Sequence, residues 1–236
     1  LDEAITDNTK CVLFNSPSNP TGMMYTREEL RALADVCIAR DVYIIADEIY
    51  YKLVYDGREF VSVAALGEDV KERTILINGV SKSYAMTGWR IGYSLAPEHI
   101  TKVMSNYVSH STAAPSTLSQ WAAVEALTGP QDTVETMHQA FEARRNYMVD
   151  RVNSMELVSC LKPEGAFYAW VFFDIGGMDS TQMCEYLLEN AGVVGMPGSA
   201  YGEETACCMR FSFANATEDL ERAAQKITDA LAKLQK

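Results

Sequence analysis

The 236-residue chain has no apolar run near the roughly 20 residues that a membrane helix needs, and its acidic opening, Leu1-Asp2-Glu3, lacks the marks of a signal peptide. It also lacks any Lys/Arg cluster: 20 basic residues stand against 32 acidic ones, a formal net charge of −12 spread along the chain. Without a basic patch to neutralise phosphates, nucleic acid and anionic membrane are not expected partners, and a small-molecule substrate is. Low-complexity tracts and internal repeats are missing, and prolines number only 7, so disorder is not expected. The six cysteines (Cys11, Cys37, Cys160, Cys184, Cys207, Cys208) lack CxxC spacing and lie in apolar segments. They read as reduced, mostly buried thiols, and the protein as cytoplasmic. The three histidines (His99, His110, His138) make no metal-ligand pattern, so no metal is expected.

What is there is an alternation of short apolar runs and amphipathic stretches, which predicts an α/β fold with a mostly parallel sheet. Cys11 to Phe14 reads as a strand buried on both faces. After the turn "NSPSNPTG" (15 to 22), Thr26-x-x-Glu29 forms a capping box, and Leu30, Leu33, Ala34, Cys37 and Ile38 share one helical face. Val42 to Ala46 is a second run, ended by Asp47-Glu48. Strand, helix, strand over this length is a βαβ unit with parallel strands. Thr74 to Ile77 and Ile91 to Ala96 read as two further strands. Helices are expected over 97–111, 116–128, 132–155, 180–190 and 217–234, with strands over 166–173 and 207–213. The pattern changes near residue 130, which divides residues 1–130, a larger domain, from residues 131–236, a smaller α+β domain that starts with a long helix. Four strands make a thin sheet with a bare edge and an uncovered face, and the chain begins with Leu rather than Met. The reading is of a fragment or processed chain with polypeptide missing upstream.

Every polar cluster of the first part follows a strand's carboxyl end, the edge at which open α/β sheets bind ligands. Asn15 to Asn19, Asp47 to Tyr50 and Ser81 to Arg90 are therefore expected to serve one pocket. The acidic pair closing "VYIIADE" (42 to 48) resembles the Mg²⁺-binding end of a triphosphatase strand, but its phosphate loop is missing: Ser81 stands where the glycine before Lys82 is required, and Leu76 where the first glycine is. Lys82 lies in "NGVSKSYAMTGWRIGY" (78 to 93), otherwise free of charge until Arg90. Desolvation there would free its amine to condense with an aldehyde, although on this stretch alone a surface lysine is the plainer reading.

In order, "SPSNPTG", "ADEIYYKLVYDG", "NGVSKSYAMTGWRIGY", "PEGAFYAW", "GVVGMPGSAYG" and "MRFSFANATEDL" resemble the type I pyridoxal-phosphate aminotransferases, in the branch of aspartate and broad-specificity enzymes. The resemblance covers essentially the whole chain. It implies a type I fold, residues 1–130 being the C-terminal part of the large cofactor-binding domain and 131–236 the small domain with its bridging helix. It implies pyridoxal 5'-phosphate, a homodimer, and amino-group exchange between an L-amino acid and a 2-oxo acid. Lys82 matches the lysine that forms the Schiff base and shuttles a proton, Asp47 the acid beside the ring nitrogen, and Tyr50 and Asn19 the donors to the ring's phenolic oxygen. Ser81 and Arg90 match phosphate-binding positions, and Arg210 the arginine that takes the substrate α-carboxylate. Tyr168 and Phe167 are candidates for the substrate side. The Asn19-Pro20 bond is implied to be cis.

Two departures stand out. Gly79 occupies a position where many relatives carry Ser or Thr, and no arginine lies between residues 103 and 115, where some aspartate-specific relatives hold the distal carboxylate. Dicarboxylate specificity is therefore open. A β-eliminating C–S lyase on the same scaffold, and a catalytically silent fragment, are the alternatives.

Overall fold

The computed structural model describes residues 1–234, which form two compact units: Leu1–Pro17 with Met24–Glu135, and Ser18–Met23 with Thr136 onward. The first unit runs β1 (Cys11–Asn15), α1 (Arg27–Ala39), β2 (Tyr43–Asp47), α2 (Glu68–Lys71), β3 (Thr74–Gly79), β4 (Gly92–Leu95), α3 (Glu98–Ser111) and α4 (Thr117–Thr128). Its sheet has the order β1-β2-β3-β4, with the first three strands parallel and β4 antiparallel to β3. The short connection from Gly79 to Gly92 holds only a turn and the 3₁₀ segment Thr87–Trp89, too little for the crossover helix that a parallel partner requires.

Helix α1 forms where the capping box is written. Thr26 Oγ1 accepts the Glu29 N–H at 3.2 Å, and the Glu29 carboxylate accepts the Thr26 N–H at 2.8 Å. Its face of Leu30, Ala34 and Cys37 packs on Phe14, Ile44 and Ala46 of one sheet face, with Val63 and Val70 completing the core. Burial of each large side chain contributes about 1.5–3 kcal/mol. The opposite face of the sheet is open: Leu13 and Ile77 are exposed, as are all residues of β4. This corrects the reading of β1 as buried on both faces: within Cys11 to Phe14 only Phe14 is buried, and Cys11 and Leu13 face the open side.

Helix α5 (Asp132–Asn153) begins in the last residues of the first unit and continues as the start of the second. It is followed by β5 (Val158–Cys160), β6 (Tyr168–Phe173), α6 (Ser180–Ala191), β7 (Met196–Pro197), β8 (Cys208–Ser212) and α7 (Thr217–Leu234). The antiparallel sheet has the order β5-β6-β8-β7. Ala169, Val171, Phe173, Met209 and Phe211 alternate onto one buried face, while Trp170 and Arg210 pair on the other. Helix α6 is boxed by Asp179 and Gln182 at its start and closed by Gly192 in the left-handed region. Strands β5 and β7, three and two residues long, escape the sequence patterns. Cys11 is exposed, unlike the mostly buried thiols expected, and all six cysteines are free. Among the described residues no helix is long and apolar enough to cross a membrane, and no cluster of His, Cys, Asp or Glu could hold a metal ion.

Candidate active site

In the first unit, the candidate groups follow from strand register. Asn15 and Asp47 are partners at the carboxyl ends of β1 and β2, and Asp47 in turn pairs with Ile77 of β3. Asn15 Nδ2 donates to the Asp47 carbonyl at 3.1 Å, which ties the two strand ends together. The Asp47 side chain is half-buried and its Oδ1 accepts the Ile49 N–H at 3.2 Å. Burial pushes its carboxyl above the usual range, against the smaller opposing pull of that hydrogen bond. Among the described residues no cation pairs with it. The neighbouring Glu48 faces elsewhere. It is 4% exposed, accepts the Ser62 hydroxyl and the Val63 N–H, both at 2.9 Å, and anchors that loop rather than a ligand. An acidic pair whose second member is so occupied is no Mg²⁺ clamp. Tyr50 is buried in the turn that follows.

Strand β3 leads directly into Ser81 and Lys82, both half-buried, in a turn closed by Met86 N–H to the Ser81 carbonyl at 3.1 Å. The Gly79 departure has a steric reason. Gly79 lies opposite Gly92, and a Cβ at 79 would come within 3.1 Å of the Gly92 Cα and of the Ile91 carbonyl. A side chain there would require these neighbours to give by a few tenths of an ångström. Ser83 Oγ, next to Lys82, is buried and has no hydrogen-bond partner among the described residues. Arg90 is exposed, and its Nη1 donates to the Thr87 carbonyl at 3.0 Å; it makes no hydrogen bond to Ser81. A half-buried carboxylate without a counter-cation, a half-buried primary amine and an orphaned hydroxyl suit a planar cofactor with a basic ring nitrogen and an aldehyde.

In the second unit, residues 18–23 meet β8. The Asn19-Pro20 bond is cis, as is Ser16-Pro17 in the first unit. The loop is pinned through Gly22, whose carbonyl accepts the Glu164 and Gly165 N–H groups, both at 2.8 Å. Gly22 has φ 70°, and a Cβ on it would meet Pro163 Cβ at 2.6 Å. So held, Asn19 Oδ1 accepts from Arg210 Nη1 at 2.6 Å. Arg210 is half-buried, its guanidinium 4.3 Å from the Tyr168 ring centre and 5.6 Å from that of Tyr201. All of these partners are neutral. Among the described residues this partly desolvated arginine has no acidic partner, an arrangement suited to receiving a carboxylate.

Three supporting residues escaped the sequence reading. Tyr201 stacks against Arg210 and is braced edge-on by Trp170 at 5.5 Å between ring centres; both lie in the quoted stretches, but nothing in their spacing marks them. Arg145 is wholly buried in α5 and donates to the Pro163 carbonyl at 3.0 Å, beside the Gly22 lock. Its charged neighbour Glu142 at i−3 is the only trace in the sequence of an inward arginine. Phe167, already a candidate for the substrate side, stacks between Phe141 and Tyr168.

Comparison with known proteins gives a consistent picture. Residues 1–227 match the family described as aminotransferase class I and II. The chain is 46% identical over 232 residues to an aspartate aminotransferase of Geobacillus stearothermophilus, covering 96% of this chain and 58% of that protein. Among solved structures, the aspartate aminotransferase of Rhizobium meliloti is 40% identical with TM-score 0.93, covering 98% of this chain and 60% of that one. The aromatic aminotransferase of Pyrococcus horikoshii is 36% identical with TM-score 0.95, covering 99% and 63%. The chain thus spans about three fifths of the length of the relatives it matches.

Proposed function

The chain belongs to the aminotransferase class I and II family, and on that basis we propose that it carries the catalytic groups of a pyridoxal-phosphate aminotransferase exchanging an amino group between an L-amino acid and a 2-oxo acid. The observation that carries this reading is the register of the first unit's sheet: Asp47 ends β2 beside Ile77 of β3, and β3 runs on into Ser81 and Lys82. When bound, the cofactor supplies an electron sink for the pair released as the substrate Cα–H ionises.

The chain's own groups have separate tasks. Lys82 holds the cofactor through its amine and, once freed by substrate, takes the proton from the substrate Cα and returns it, acting as base and then acid. Asp47 keeps a proton on the ring nitrogen, and that cation lowers the cost of keeping the half-buried carboxylate ionised. Tyr50 and Asn19 serve the phenolic oxygen. Ser81 and Arg90 serve the phosphate, for which a guanidinium is the better matched cation. Arg210 grips the substrate α-carboxylate in a two-pronged ion pair, steadied by Asn19 and Tyr168. Residues 1–130 then act as part of a large cofactor-binding domain and residues 131–236 as the small domain, in a cytoplasmic homodimer. The relatives' names cover both aspartate and aromatic donors, and the chain has no arginine from 103 to 115, so the donor class is left open.

The test is direct. The purified chain is mixed with pyridoxal phosphate, reduced with borohydride and digested. The label is expected on the Lys82 peptide and absent in Lys82→Arg; labelling of another lysine overturns the assignment. Asp47→Ala should cost activity severely, and a variant as fast as its parent would refute the role given to that carboxylate.

A further inference from the structure

We propose that the second unit carries a separate binding site for a small aromatic or branched carboxylate, in a cavity of about 290 Å³ between α5, α7 and the β6/β8 face of the sheet. Its floor is apolar and buried: Val152 and Met155 from α5, Val171 and Phe173 from β6, Phe211 from β8 and Leu220 from α7. Apolar cavities of about 150 Å³ bind benzene, so this one has room for a substituted ring. Asn215 and Asp219 also line it and are exposed, so the cavity opens to solvent at a polar end. A dry floor and a wet end together call for an amphipathic ligand.

Arg151 decides the sign of the polar group. It lines the cavity and is half-buried, and among the described residues its guanidinium donates only to neutral oxygens: Ser154 Oγ at 3.4 Å, Gln225 Oε1 at 3.3 Å and Thr228 Oγ1 at 3.2 Å. The one carboxylate of the lining, Asp219, is already paired with Arg222. The uncompensated charge at the cavity is therefore positive, and a carboxylate on an apolar stem matches it. Arg210 and the Lys82 region do not line this cavity, so the site is additional to the proposed catalytic groups.

The experiment uses the 236-residue chain with ¹³C-methyl methionine, because Met148 and Met155 line the cavity and report its occupancy. On titration with 3-phenylpropanoate, both methyl signals should shift saturably, whereas the amine 3-phenylpropylamine should leave them in place. Arg151→Gln should weaken the acid by about tenfold or more, the scale of a lost charge-assisted pair. Ala224→Leu, which adds volume to the cavity wall, should abolish the shifts while keeping the charge. Arg210→Lys should leave both shifts intact, which separates this site from any carboxylate bound by Arg210. Equal response to acid and amine, no loss in either cavity variant, or loss in Arg210→Lys would each overturn the proposal. If Arg151→Gln does not fold, the Ala224→Leu and amine comparisons still decide it.

Discussion

Asp47 shows how one residue's environment encodes a demand for a ligand. Burial raises its pKa in the folded chain, so the folded state holds its proton to higher pH than the unfolded state does. Stability therefore falls as pH rises from the ordinary carboxylate value through the raised one, and the cost persists at neutral pH. Asp47→Asn is expected to melt higher than its parent at pH 7 without cofactor, with the gap closing below about pH 4. A constant gap from pH 3 to 8 would assign the effect to something other than that proton. Arg210 makes the complementary case: Arg210→Lys loses the planar fork and should bind a 2-oxo acid about 10- to 100-fold more weakly by calorimetry, although the charge is kept.

Among the elements, the short loop 18–23 has the greatest leverage. Gly22→Ala forces a side chain into a positive-φ site against Pro163, at a cost of about 1–3 kcal/mol. It should lower the thermal midpoint and also weaken carboxylate binding, because Asn19 loses its aim at Arg210. The cap of α1 offers a milder comparison: Thr26→Ala should cost about 1 kcal/mol in denaturant melts and leave ligand binding alone. These elements also show what the sequence disclosed. The capping box, the βαβ run and the helices ending at Thr128 and Leu234 are written in local chemistry, and the structure follows them within a residue or two. Strands β5 and β7 are too short to carry a period, and β7 contains Pro197. The antiparallel turn of β4 depends on the length of a connection rather than on the strand itself. In the site, residue types in ordered stretches pointed to Asp47, Lys82 and Arg210. The aromatic bracket of Tyr168 and Tyr201 and the buried Arg145 arise only when strands pair, so no spacing announces them.

Across the whole molecule, the first unit leaves much apolar surface in water. Leu118 is 77% exposed, Tyr107 74% and Trp121 70%, alongside Leu13 and Leu95 on the sheet. Surfaces of this kind associate or aggregate unless covered. The isolated chain should therefore bind anilinonaphthalene sulfonate strongly and self-associate as its concentration rises, and the double change Leu118→Glu, Trp121→Glu should reduce both, read by fluorescence and light scattering. Unchanged dye binding would mean that this surface is not the source.

The assignment of residues 18–23 to the second unit means that the backbone passes between the two units at 17/18, 23/24 and 135/136. A single protease nick near residue 130 therefore cannot yield two self-sufficient halves. A gene encoding only residues 136–236 would make a protein whose arginine has lost its asparagine and whose Pro163 hairpin has lost its latch. Anyone dividing this chain for study would have to carry a short piece of its beginning along with its end.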